Sequence, residues 1–246
     1  MYMNKNILIA LCMLIAFKAN AQKNIHQYVH AGFNIGALAP VSLPNTIRKV
    51  ESYSPLFSPA IGYEIVYVIK GKWGIGAGLK VEYKGMRVKD SVQYFHTIIT
   101  QQSSSGKSEF EGDFTGTNQT KAHNLYLTLP INAVFQPSEK WRFKLGFYAA
   151  YLLAASFDGT VSNGYIRNGN SFGEKVIIDQ ANFDFAKEER KFDWGLQGGA
   201  ERKVGKRLAV AANLQWGLQP VFPSTFKGVG FNMYNIFLGL GVSYKL

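Results

Sequence analysis

KGKWGIGAGLKVEYKG, residues 70–85, alternates with a period of two. Trp73, Ile75, Ala77, Leu79, Val81 and Tyr83 take one face, and Gly74, Gly76, Gly78, Lys80, Glu82 and Lys84 take the other. A half-buried strand in a water-soluble sheet turns bulky polar residues of good strand propensity outward. Glycine repeated along that face weakens the sheet and leaves backbone bare. The division makes sense when it is reversed. In a narrow membrane barrel the second face points into a lumen that side chains just fill, and glycine there makes room for long charged neighbours. The other face meets lipid and is apolar. Twelve residues from Trp73 to Lys84 cover about 28 Å of membrane normal, at roughly 3.3 Å per residue and a tilt near 45°.

The same period recurs along the chain at 29–37, 61–69, 125–135, 141–157, 194–200, 208–218 and 234–246. With 73–83 these make eight expected strands. Hairpin-length turns at 70–72, 136–140 and 202–206 alternate with long polar connections at 38–57, 85–122, 158–191 and 219–230. The second connection holds a Ser/Gly/Thr-rich run expected to be mobile. The third contains DFAKEERK, compatible with a short helix, and NSFGEKVIIDQANFDF (170–185), whose β-branched and aromatic residues suit strands continuing beyond the membrane. The expectation is all-β: an eight-stranded antiparallel up-and-down transmembrane β-barrel over 22–246.

The first 21 residues read as a secretory signal peptide, with Lys5, an apolar run from Ile7 to Phe17, and Ala19-Asn20-Ala21 before a cut at Gln22. That run is too short to span a bilayer as a helix. Cys12 is the sole cysteine, so no disulfide framework is expected in the mature chain. Losing Lys5 and Lys18 lowers the formal net charge from +11 to +9. An exported chain rarely meets nucleic acid, and the placement of the charge is more telling than its sum. On the short-turn side Lys70, Lys72, Lys140, Arg142, Arg202, Lys203, Lys206, Arg207 and Lys245 face only Glu139 and Glu201, a net of +7. The long connections carry 12 basic and 11 acidic residues. Short turns of such barrels lie on the periplasmic side, so the basic set is placed against phospholipid headgroups or serves solubility in transit.

Aromatic residues bracket the strands at Trp73, Tyr83, Trp141, Phe157, Trp194, Trp216, Tyr234 and Tyr244, as expected of interfacial girdles. The lumen phase holds Glu64, Lys80, Glu82, Lys84, Lys144 and Asp193. Buried singly these charges are costly, so they are expected to form a paired ladder, with Glu64 diagonal to Lys80 and with Glu82 and Lys84 above. The alternative is an ion path, since rings of charge also line pores. The histidines are His26, His30, His96 and His123. No His–Ser adjacency and no His or Cys spacing suggests a triad or a metal site, and a charged lumen does not suit an acyl chain. No enzymatic activity, catalytic residue, cofactor or metal is expected.

NLYLTLPINAVFQ, KLGFYAAYLLAAS and DWGLQGGAE resemble, at 124–135, 145–156 and 193–200, the strands of the PorT-like outer-membrane β-barrel family of Bacteroidetes. Thr128 stands where the family favours an acid, and Phe147 where it has proline. The chain end, Gly241 to Leu246, looks like the signal read by the barrel assembly machinery, with Leu246 in place of the commoner Phe. The resemblance implies an integral outer-membrane barrel whose partners are lipid and that machinery. It leaves open a structural role, surface binding or adhesion through 85–122 and 158–191, a place in a secretion system, or a porin-like pore of low conductance. The extracellular ligand or partner is not identified by these motifs.

Overall fold

The computed structural model describes residues 24–103 and 106–246. The expected signal peptide, with Cys12, lies outside the described residues. The described residues form eleven strands rather than the expected eight: β1 (Ile25–Ala39), β2 (Ile47–Pro55), β3 (Pro59–Lys70), β4 (Trp73–Ser103), β5 (Gly106–Phe135), β6 (Trp141–Ala154), β7 (Phe157–Asn168), β8 (Lys175–Asp184), β9 (Phe192–Lys203), β10 (Leu208–Gly217) and β11 (Tyr234–Lys245). DFAKEERK contributes a single 3₁₀ turn, Ala186–Glu188.

All pairings are antiparallel. They run β2-β4-β3-β1-β11-β10-β9-β6-β5-β7-β8, and β5 also pairs directly with β4. Terminal strands β1 and β11 are joined from Tyr28–Lys245 to Ala39–Tyr234. The result is an up-and-down, barrel-like sheet with one end of short turns. Gly71 supplies the left-handed backbone (φ +58°) that closes the β3–β4 turn.

The three additional strands come from segments read as connections. β2 lies in 38–57 and β8 within 158–191, while β7 begins at Phe157 after β6 stops at Ala154. The expected strand over 141–157 is thus two strands. The polar run 85–122 is mostly a continuation of β4 and β5, which are 31 and 30 residues long. A register shift between Val92 and Phe95, with Tyr94 at φ +52°, hides this in the sequence. Inward residues on β4 are even-numbered up to Val92 and odd-numbered from Phe95 to Ile99. A bulge of this kind inserts a residue and flips the faces.

Two opposite interiors stack along the sheet. In the lower part the outward face carries Ile61, Ile65, Trp73, Ile75, Leu79, Leu145, Phe147, Leu214 and Leu238, all exposed, while Glu64, Glu82, Lys84, Thr128, Asn132 and Gln197 are buried. In the upper part the interior is apolar, built from Met86, Val92, Ile99, Phe114, Val161, Ile166, Ile178 and Phe237. Phe157 belongs here. It packs edge-on to Phe222, ring centroids 5.0 Å apart, and is 2% exposed. It is a core residue of the extension and not an interfacial aromatic, because the chain turns before it and β7 pairs above β6.

Candidate functional site

The buried polar residues of the lower sheet form three tiers. At the short-turn end β1, β3, β6, β9 and β11 contribute His30, Glu64, Arg142, Lys144, Glu201 and Ser243. Lys144 Nζ bonds both Glu64 and Glu201, and Arg142 bonds Glu201. His30 Nε2 lies 3.2 Å from Glu64 Oε2. The Arg142 guanidinium lies 3.6 Å from the ring centroid of Tyr28 and donates to Ser243 Oγ at 3.3 Å. Gly76 is what admits Glu64: a Cβ there would sit 3.0 Å from Glu64 Oε1 and 3.2 Å from Val134 Cγ2.

In the middle tier Glu82, fully buried, accepts from Lys80 Nζ at 2.6 Å, Asn34 Nδ2 at 2.9 Å and Thr128 Oγ1 at 2.8 Å. Beside it Gln197 donates to Asn132 Oδ1 at 2.7 Å. In the upper tier Lys84 Nζ stands 3.7 Å from Asp193 Oδ2 and over the rings of Tyr126 and Tyr148, at 5.0 and 4.8 Å. Tyr148 Oη and Asn235 Nδ2 donate to Asp193 Oδ2 at 2.9 and 3.0 Å. Above this tier Asn124 Nδ2 donates to Glu189, which follows the 3₁₀ turn; burial pushes the Glu189 carboxyl up to about 8.

All six residues of the expected ladder point inward, but their partners differ from the expectation. Glu64 pairs with Lys144 and His30, not Lys80, and Lys80 pairs with Glu82 two residues along its own strand. Arg142 and Glu201, assigned to the periplasmic turns, are instead buried against each other. The exposed turn charge is unaffected, since a neutral pair has moved inward. Lys70, Lys72, Lys140, Arg202, Lys203, Lys206 and Arg207 remain exposed at the short-turn end. Period-two counting places Arg142 and Glu201 in phase with Lys144 and Gln197, and that signal was available.

Of the expected girdle residues, Trp73, Trp141, Trp194, Trp216 and Tyr244 are exposed on the outer face, and Tyr234 is half-buried. Tyr83 is half-buried and stacks on His123 at 4.6 Å. His26 lies near the start of β1, and His96 pairs with Asp113 on the β4–β5 extension at 2.9 Å. Tertiary structure also gathers His30, Glu64 and Glu201, with ligating atoms within 4.8 Å of one another. Lys144 already occupies the position between the two carboxylates, so their charge is met by an ammonium.

A sheet that is apolar outside, ionised inside and closed by short turns at one end defines an integral membrane β-barrel protein. The chain belongs to the outer membrane protein β-barrel domain family, which matches residues 20–223. It is an integral outer-membrane protein. The fold is similar to that of Ail from Yersinia pestis in a phospholipid bilayer nanodisc, at 10% identity and TM-score 0.36, over 90% of this chain and 99% of that one. It is similar to OprG from Pseudomonas aeruginosa at 11% identity and TM-score 0.33, over 91% and 96%. No curated protein matches the chain. The family match carries the assignment.

Proposed function

We propose that β1, β3, β4, β5, β6, β9, β10 and β11 form an eight-stranded membrane ring with a blocked lumen, and that the extension above it is a non-enzymatic surface-interaction module. The supporting observation is the charge balance of the lumen. Glu64, Glu82, Asp193 and Glu201 face Lys80, Lys84, Arg142 and Lys144, four acids against four bases, each in an ion pair. Paired charges filling a narrow bore hold it shut, whereas an ion path leaves charges of one sign free for solute.

The extension supports the second half of the reading. It has its own apolar core and two sheet edges, β2 and β8, of which β8 meets β4 only at Thr100–Asn182. An open edge accepts an added strand from a partner. The basic turns at the opposite end suit the phospholipid leaflet, and the C-terminal strand β11 is the segment offered to the assembly machinery.

Planar-bilayer recording tests the block: the protein and its Glu64→Gln variant are expected to give no steady conductance, and a steady current altered by Glu64→Gln overturns it. Crosslinking on intact cells tests the module. Partners captured by the full chain and lost on shortening 85–122 or 158–191, with heat-modifiable migration retained, support it. Unchanged capture overturns it.

A further inference from the structure

Above the lumen the extension encloses a cavity of about 150 Å³ that the ion-pair network does not use. Leu38, Met86, Phe95, Phe157, Phe183 and Phe231 supply most of its apolar wall. Leu43 and Val50 also line it and are exposed, so its mouth opens between the β1–β2 connection and β2, on the side away from the short turns.

Four polar side chains interrupt this wall: Asp90, Thr97, Asn118 and Thr120, at 5%, 1%, 3% and 7% exposure. Among the described residues no lysine, arginine or histidine pairs with Asp90; its neighbour Lys89 pairs with Glu51 at 3.0 Å. Thr97 Oγ1 has no hydrogen-bond partner, and neither does Asn118 Oδ1, although Asn118 Nδ2 donates to Thr120 Oγ1 at 3.2 Å. Asn118 lies opposite Asp90 in the β4–β5 register, so these two groups face each other across one strand pair, whereas Thr97 pairs with Gly112 further along.

A carboxyl group withdrawn from water with no cation beside it is costly, and so is each orphaned oxygen. Asp90 and Asn118 Oδ1 can both accept a hydrogen bond, and the wall around them offers phenyl faces. One chemistry meets both demands. A primary ammonium brings three N–H donors and a positive charge that also favours aromatic faces. An attached phenyl or short alkyl body fills the apolar remainder. A dry cavity of about this volume holds one benzene ring, which limits the apolar body to a single ring or a short alkyl chain.

We propose that this cavity binds a small primary arylalkylamine or alkylamine, with its ammonium group at Asp90 and Asn118 and its apolar body among the phenylalanines. The site is independent of whether the lumen below conducts.

The test uses the full mature chain in lipid nanodiscs, with empty nanodiscs as the control for partitioning, and 2-phenylethylamine as probe in calorimetric titration. Saturable one-site binding is expected. Replacing the probe by 2-phenylethanol, or Asp90 by Asn, is expected to weaken it roughly ten- to hundredfold, the loss of one charge-assisted contact. Retained heat-modifiable migration and protease resistance establish that the variant is folded. Equal affinity for the alcohol, unchanged affinity in folded Asp90→Asn, or heat no greater than that of empty nanodiscs overturns the proposal.

Discussion

Lys84 on β4 and Asp193 on β9 meet 3.7 Å apart across the lumen, from strands separated by β5 and β6 on the shorter way round the sheet. Lys84 is fully buried, and its ammonium has no hydrogen-bond acceptor, only this carboxylate and the faces of Tyr126, Tyr148 and Phe237. Removing one partner strands the other. Lys84→Met is expected to cost about 3–5 kcal/mol of barrel stability, while Lys84→Met combined with Asp193→Leu recovers most of it. Urea titration of the folded band in lipid vesicles measures both, and equal losses in the single and double variants contradict the pairing.

All four tryptophans, Trp73, Trp141, Trp194 and Trp216, are exposed on the outer face of the lower sheet. In a bilayer that face is greasy and dry. Lipids brominated on their acyl chains are therefore expected to quench most of the tryptophan fluorescence, and aqueous iodide little. The reverse ranking would mean that these rings face water.

Phe157 joins β7 to the phenyl cluster of the extension, against Phe183, Phe185 and Phe222. Phe157→Ala is expected to cost about 3–5 kcal/mol locally. Because the cluster lies above the ion-pair tiers, the loss should appear as faster proteolysis within 158–191 while heat-modifiable migration persists. A variant that loses the migration shift as readily as it is cleaved would show the two interiors to be one cooperative unit.

Glu189 sits just beyond the 3₁₀ turn, and burial pushes its carboxyl up to about 8, opposed by the Asn124 hydrogen bond and by Lys191. A raised pKa means that the folded chain holds the proton more tightly than the unfolded one. The contribution to stability is complete below the ordinary carboxylate range, declines as pH rises toward about 8, and is gone above it. Glu189→Gln keeps the amide partner and removes the titration. Its stability should exceed that of the unsubstituted chain at pH 9 and match it near pH 4.

Asp90 is pushed up to about 6, chiefly by burial, with the charge of Glu51 adding to the effect and Asn118 opposing it. Among the described residues it is the only titratable one lining the cavity; Glu51, on β2 and paired with Lys89, acts from outside. The amine probe stays charged throughout, so binding requires the ionised carboxylate. Affinity should fall as pH drops below about 6 and level off above it, and Asp90→Asn should flatten the profile. Affinity that rises on acidification contradicts the ion pair.

The period-two pattern of 73–84 settled the most consequential question on its own. Glycine repeated along an ionised face weakens a sheet in water but suits a narrow, side-chain-filled lumen, and the girdle tryptophans follow from the same count. Sequence also located all the strands of the lower sheet and the inward phase of Glu64, Lys80, Glu82, Lys84, Lys144 and Asp193. It marked 170–185, where β8 falls, as suited to strands beyond the membrane, but missed the rest of the extension for a local reason. One bulge at Tyr94 flips the faces of β4, and apart from Phe114 the inward residues of upper β5 (Gly112, Asn118, Thr120 and Ala122) are too small or polar to register as a buried face.

What the chain determined by itself was the face each residue presents, because alternation is a property of the strand backbone. Which inward residues meet was decided only in three dimensions. Glu64 and Lys144 are 80 residues apart, and they are neighbours only because sheet closure brings β3 and β6 across one bore. The same holds for Asp90, whose cavity is assembled from six strands and three connections that no local pattern relates.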